Sequence, residues 1–123
     1  MAEHTTHKVV VTLEADALAP LFIPLLEVRE GTTLLASQCS LTVSGTPSPL
    51  EIAVMLCKPE TALGDPGDAV LYVSDVVSIA ADEPFVLPGS IPALGVSGVL
   101  GLHVPVALLT TGAKVAGTLS TVR

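Results

Sequence analysis

From Leu100 to Leu108, apolar side chains occupy every second position of the chain. A period of two is typical of a β-strand with one apolar face, because successive side chains of a strand point to opposite faces of its sheet. An α-helix would instead repeat its apolar residues at spacings of three and four. The alternation therefore predicts a strand within residues 96–109, and its apolar members are Leu100, Leu102, Val104, Val106 and Leu108.

The same part of the chain lacks acidic residues. All 12 Asp and Glu residues lie at or before residue 83, and Lys114 and Arg123 are the only formal charges from residue 84 onward. A strand without charges can be desolvated against a neighbouring protein at low electrostatic cost. We therefore expect the five alternating residues to form an interface with another protein chain.

Alternating segments separated by Gly- and Pro-rich turns occupy most of the remaining chain, and no long amphipathic helix is evident. This pattern predicts an all-β fold: a single-domain antiparallel sandwich or barrel of about seven to eight strands, jelly-roll-like or Greek key. We expect one β domain over residues 8–123, preceded by a flexible polar arm over residues 1–7. The strands are expected within residues 8–14, 25–29, 33–44, 50–57, 69–81, 85–87, 96–109 and 114–122.

Composition and charge narrow the possible partners. Charged residues make up 14% of the chain, well below the roughly 25% of ordinary soluble domains. Much of the surface must therefore be uncharged, which favours self-association. The net charge of −7 and the scattered basic residues argue against nucleic acid, whose phosphates require clustered Lys or Arg. The apolar residues 94–109 are too short and too rich in Gly and Pro for a membrane-spanning helix.

No metal or other cofactor is expected. Glu3, His4 and His7 include two metal-ligand types, but a mobile arm lacks the fixed geometry that a metal site needs. The loop from Glu60 to Asp68 contains three carboxylates, yet its spacing is not that of an EF-hand, and Asp and Gly are common turn residues. Calcium binding by this loop stays an open alternative at this stage.

The residues offer little for catalysis. A nucleophilic site could in principle combine Cys39 or Cys57 with His103 and Asp75, which are residues of the required types. No known catalytic signature surrounds them. We expect the two cysteines to be free apolar thiols, with a single disulfide as the alternative. Asp75 interrupts an apolar strand face, which places it at a bulge or gives it a buried charged partner. His103 is expected on the strand face opposite the leucines.

These observations predict a non-enzymatic structural β-domain protein that forms a homo-oligomer or docks on a larger assembly. A virion accessory protein, such as a capsid decoration protein, is the class we favour. The alternative is a monomeric module that binds an apolar ligand or peptide in a pocket. The N-terminal residues lack the apolar stretch of a signal peptide, so we expect synthesis in the cytoplasm.

Overall fold

The structure is a computed structural model and describes residues 3–87, 97–106 and 108–123. Within these residues, strands dominate and the only helical segments are two 3₁₀ turns, Ala36–Gln38 and Gly67–Ala69. The strands are β1 His4–Thr12, β2 Ala17–Leu18, β3 Leu21–Val28, β4 Thr33–Leu34, β5 Ser40–Ser44, β6 Leu50–Cys57, β7 Val70–Val73, β8 Val77–Ile79, β9 Phe85–Val86, β10 Gly98–Val104, β11 Leu108–Leu109 and β12 Lys114–Val122.

Two antiparallel sheets pack face to face. The first has the order β1-β12-β5-β9, with β4 also paired to β12, and the second has the order β3-β10-β6-β7, with β8 also paired to β6. The pairs are nested along the chain: β1 pairs with β12, β3 with β10, β5 with β9, and β6 with β7. Nested pairs whose successive members alternate between two antiparallel sheets form a jelly roll, so the predicted fold class is confirmed.

The core between the sheets is aliphatic. Each of its principal strands contributes alternate side chains, as the period of two requires. Its largest fully buried members include Leu21, Ile23, Leu41, Val43, Ile52, Leu56, Leu100, Leu102, Leu109 and Leu119.

The region without acidic residues supplies an interior strand of each sheet. β10 lies between β3 and β6, and β12 lies between β1 and β5. Central strands have neighbours on both sides and a core on at least one face, so charged side chains on them are costly. Burial within this chain thus accounts for the lack of Asp and Glu in β10 and at the buried positions of β12, without a second protein.

The first strand begins earlier than the sequence analysis predicts. Residues 4–7, which we expected in a flexible arm, form the first half of β1 and pair with residues 119–122 of β12. His7 points toward the sheet interior, where its Nε2 lies 3.1 Å from the hydroxyl of the buried Thr121. Polar side chains thus replace apolar ones at this end of the sandwich, which is why hydropathy alone does not reveal the strand.

A second apolar cluster lies on the outer face of the second sheet. It consists of Phe22, Met55, Cys57 and Val99, all of them buried. The loop from Lys58 to Ala69 is closed at its base by a 2.8 Å hydrogen bond from Lys58 N–H to Ala69 C=O. Midway, Phe22 and Gly64 exchange backbone hydrogen bonds of 2.7 and 3.1 Å. The loop therefore extends from β6 to the outer edge of β3.

Candidate functional site

The structure separates the five residues that we expected at an interface. Leu100, Leu102 and Val104 are at most 2% exposed and face the core between the two sheets. Their apolar partners belong to the same chain, so their side chains are not available to a second protein. Val106 follows the end of β10 and is 70% exposed, and Leu108 belongs to β11.

Nine large apolar side chains are exposed among the described residues, and four of them lie together along one edge of the second sheet. Four apolar residues in and just after the edge strand β7 are 39–50% exposed, and we call them the β7 edge. They are Leu71, Tyr72, Val73 and Val76. Alternation predicts a strand within residues 69–81 but does not identify it as an exposed edge, because alternation indicates which residues share a face and not which strands are neighbours.

β7 and β8 together form one interrupted strand along β6. Ser74 interrupts it: its N–H donates to Val54 C=O at 2.8 Å, and its hydroxyl accepts a 2.9 Å hydrogen bond from Val54 N–H. A side-chain oxygen thus replaces a backbone carbonyl in the ladder, and Asp75 is exposed beside it. Asp75 therefore lies at an irregularity, one of the two positions that the sequence analysis considered.

The other sheet edges carry features that hinder strand addition. On β3, Pro24 has no N–H, and the backbone groups of Phe22 are already bonded to Gly64. β9 has two residues and follows Pro84. β1 is long, but it carries the exposed Lys8 at its centre. By contrast, residues 69–74 contain no charged side chain, which leaves β7 as the least protected edge of the described sheets.

The candidate metal and catalytic residues are not brought together. Among the described residues, no group of three or more His, Cys, Asp or Glu side chains is placed to hold a metal ion. Asp65 accepts a 2.9 Å hydrogen bond from Gly67 N–H and so shapes its own turn. His103, on the outer face of β10, lies with its Nδ1 3.2 Å from Leu21 C=O. In the part of the chain that the structure describes, no hydrogen bond joins His103 to Cys39, Cys57 or Asp75.

The two cysteines are free and buried, as expected. Cys39 belongs to the core between the sheets and Cys57 to the outer cluster. The Cys39 thiol donates to Leu35 C=O at 3.2 Å, and its sulfur accepts a 3.2 Å hydrogen bond from Ser120 N–H. Burial raises the pKa of both thiols above the ordinary value of 9.0; for Cys39 the Ser120 hydrogen bond opposes that rise. Both side chains therefore act as small apolar groups.

These raised pKa values predict a loss of stability at alkaline pH. The unfolded thiols ionise near pH 9.0, whereas the folded thiols remain protonated to higher pH. Above this pH the unfolded state therefore binds fewer protons, and the free energy of unfolding falls as pH rises through the raised pKa values. Urea midpoints measured from pH 7 to pH 11 should show this fall.

The matched control for that experiment is the double variant Cys39→Ala/Cys57→Ala. Tyrosine and lysine titrate in the same range, so only the difference between the two pH profiles reports on the thiols. The variant should be less stable at pH 7 and lose less stability at high pH. If the two pH profiles of stability were parallel, the raised pKa values of the Cys39 and Cys57 thiols would be contradicted.

One cleft is open and mixed in character. It has a volume of about 900 Å³ at one end of the sandwich, and its walls include Glu51, Asp82, Val106 and Thr110. Thr46 also lines it, and the Thr46 hydroxyl oxygen is buried without a hydrogen-bond partner among the described residues. Its lining combines the carboxylates of Glu51 and Asp82 with the apolar side chains of Pro47, Pro49, Leu50 and Val106.

Comparison with known proteins does not assign the chain to a family: no protein-family model and no curated protein matches it. A search of the described residues finds no helix with the length and hydropathy needed to cross a membrane. The fold and the β7 edge are therefore the observations from which a function can be argued.

Proposed function

We propose that this protein is a non-enzymatic structural β-domain that self-associates as part of a larger assembly. The observation that carries the proposal is the β7 edge: the uncharged strand β7 exposes three apolar side chains, and Val76 follows beyond Asp75, on a protein of net charge −7. An acidic surface keeps copies apart by mutual repulsion. Two copies can approach through the uncharged strand β7 without bringing acidic side chains of that strand together.

The proposed interface differs from the one that the sequence analysis favoured. The alternating residues of β10 are used in the core, so the surface available for assembly lies on β7. The reason for expecting an assembly is unchanged, because exposed apolar residues on an edge strand attract another strand or another apolar surface.

We further propose that the larger assembly is a virion, with this protein as an accessory such as a capsid decoration protein. The jelly-roll topology supports this class, since jelly rolls recur in viral capsid domains. They also recur in lectins and cupins, and a fold alone does not determine function. In the described residues, no arrangement of metal ligands or catalytic side chains favours those other uses.

Native mass tests the proposal. Light scattering coupled to size-exclusion chromatography, over a dilution series of the intact chain, should give a mass that is a multiple of 12.5 kDa at the higher concentrations. A mass of 12.5 kDa throughout the series would overturn self-association. It would then favour the monomeric binding module that the sequence analysis gave as the alternative.

A further inference from the structure

We propose that the partner of the β7 edge is a second copy of this chain, paired antiparallel to the first about a two-fold axis at Tyr72. This inference rests on the proposed self-association and specifies its contact. Two antiparallel copies of one strand have the same residues available to each other, so a single uncharged strand can supply both sides of the interface. The second sheets of the two copies would then become one continuous sheet.

The backbone pattern of β7 shows which groups are free to pair. Ser74 N–H donates to Val54 C=O, and Tyr72 pairs with Leu56, so residues 72 and 74 direct their ladder groups toward β6. Leu71 lies at a register shift between β6 and β7. Because the C=O and N–H of one planar trans peptide point in opposite directions, the N–H and C=O of Val73 and the C=O of Leu71 point out of the sheet. These are the groups that a second strand would meet.

Three antiparallel registers are compatible with these outward groups. A register centred on Leu71 places Val73 opposite Ala69, whose carbonyl is already bonded to Lys58 N–H at 2.8 Å. A register centred on Val73 places the apolar Leu71 opposite the charged Asp75. The register centred on Tyr72 keeps Val73 away from Ala69 and Leu71 away from Asp75, because it pairs Val73 N–H with Leu71 C=O of the second copy, and does so twice.

The Tyr72-centred register also gives favourable side-chain neighbours. The two Tyr72 side chains lie directly opposite each other. They form a non-hydrogen-bonded pair of the antiparallel ladder, in which side chains are closer together than in a hydrogen-bonded pair. Opposed aromatic residues stabilise such pairs. Asp75 lies opposite the uncharged Ala69, so no two carboxylates face each other directly.

A contact through one short strand is small. Strand-edge interfaces of this length fall below the roughly 1,200 Å² of standard protein interfaces, so the dimer should dissociate on dilution. This expectation makes the dilution series informative: a dimer at high concentration that becomes a monomer on dilution fits the pairing.

The first test replaces an exposed edge valine by lysine. At a concentration where the unaltered chain is dimeric, Val73→Lys should reduce the native mass to 12.5 kDa, because it introduces a charge beside the axis. The matched control is Val10→Lys, the same change at a 65% exposed valine on the edge strand β1; it should leave the mass unchanged. Circular dichroism establishes that both variants are folded.

The second test measures the register directly. In Tyr72→Cys, the two introduced thiols face each other with the Cα atoms about 4.5 Å apart, within the range that a disulfide spans. Mild oxidation should therefore link two copies. Leu71→Cys should not form the link, because its counterpart is residue 73. The native cysteines are buried and do not compete.

The outcomes separate this inference from the proposed function. An assembly that survives Val73→Lys, or dissociates with Val10→Lys instead, overturns the β7 pairing and leaves self-association intact. Linkage through position 71 and not position 72 overturns the register. A monomer at every concentration overturns the proposed self-association itself, and the pairing with it.

Discussion

Leu102→Asp is expected to unfold the protein, whereas Val106→Asp should leave it folded and nearly as stable. Both residues belong to the same alternating set in the sequence. Leu102 is 1% exposed in the central strand β10, with β3 and β6 on either side and the first sheet across the core. Val106 is 70% exposed beyond the end of that strand.

The expected effects follow from burial. Removing a core leucine costs about 2–5 kcal/mol, and an ionised carboxylate without a partner adds a further penalty. Together these approach the whole stability of a small domain, which is about 5–15 kcal/mol. Val106→Asp should change stability by about 0.5 kcal/mol or less, as exposed substitutions usually do.

The measurement combines circular dichroism, urea denaturation and native mass on both variants. If residues 100–108 formed an intermolecular interface, Leu102→Asp would instead remain folded and only lose mass. A folded Leu102→Asp variant would therefore contradict the core position of β10. A destabilised Val106→Asp variant would contradict the exposed position of residue 106.

The sequence predicts local structure well here because alternation and turn residues are local signals. β6 spans Leu50–Cys57 and β12 spans Lys114–Val122, which are the bounds that alternation and the flanking Gly and Pro residues predict. The face that carries Leu100, Leu102 and Val104 is also confirmed as one apolar face. Each of these predictions depends on residues only a few positions apart in the chain.

The alternation in β10 does not show what covers its apolar face, because the covering residues are far away in the sequence. An apolar strand face looks the same in sequence whether its neighbour is the opposite sheet or a second protein. Only the core cluster that Leu100, Leu102 and Val104 share with residues of the first sheet shows that the neighbour is the same chain. For the same reason, the β7 edge is invisible in the sequence: its exposure depends on β7 being the last strand of its sheet.

The outer apolar cluster is a second long-range feature that the period of two conceals. In β6, Ile52, Val54 and Leu56 face the main core, while Met55 and Cys57 are buried on the other face. A strand buried on both faces loses its alternation, and residues 52–57 are a continuous apolar run, but the sequence does not show what covers the outer face. Ala69 and Val70, which follow the loop over residues 58–68, pack against the outer cluster.

Gly101→Ala is expected to be among the most destabilising small substitutions in the chain, because its single added methyl group has no room. Gly101 lies in β10 on the outer face of the second sheet, opposite Pro24 of β3 and Met55 of β6. A Cβ at this position would overlap the carbonyl oxygen of Ile23 and lie 2.8 Å from Cε1 of Phe22.

Neither neighbour can move easily. The Ile23 carbonyl belongs to the backbone of a paired strand. Phe22 is fully buried, and its backbone is bonded to Gly64. Overpacking of a rigid site typically costs about 1–3 kcal/mol, and a clash with backbone belongs at the upper end of that range. We therefore expect Gly101→Ala to lower the free energy of unfolding by about 3 kcal/mol.

The matched control is Gly112→Ala. A Cβ at Gly112 would meet no atom within 4 Å, although its φ of +93° disfavours a side chain. The left-handed conformation alone costs an L-residue about 1–2 kcal/mol, so this variant measures backbone strain without a steric clash. Urea denaturation of both variants should show the larger loss for Gly101→Ala. A smaller or equal loss would mean that Phe22 does not pack against β10 at this position.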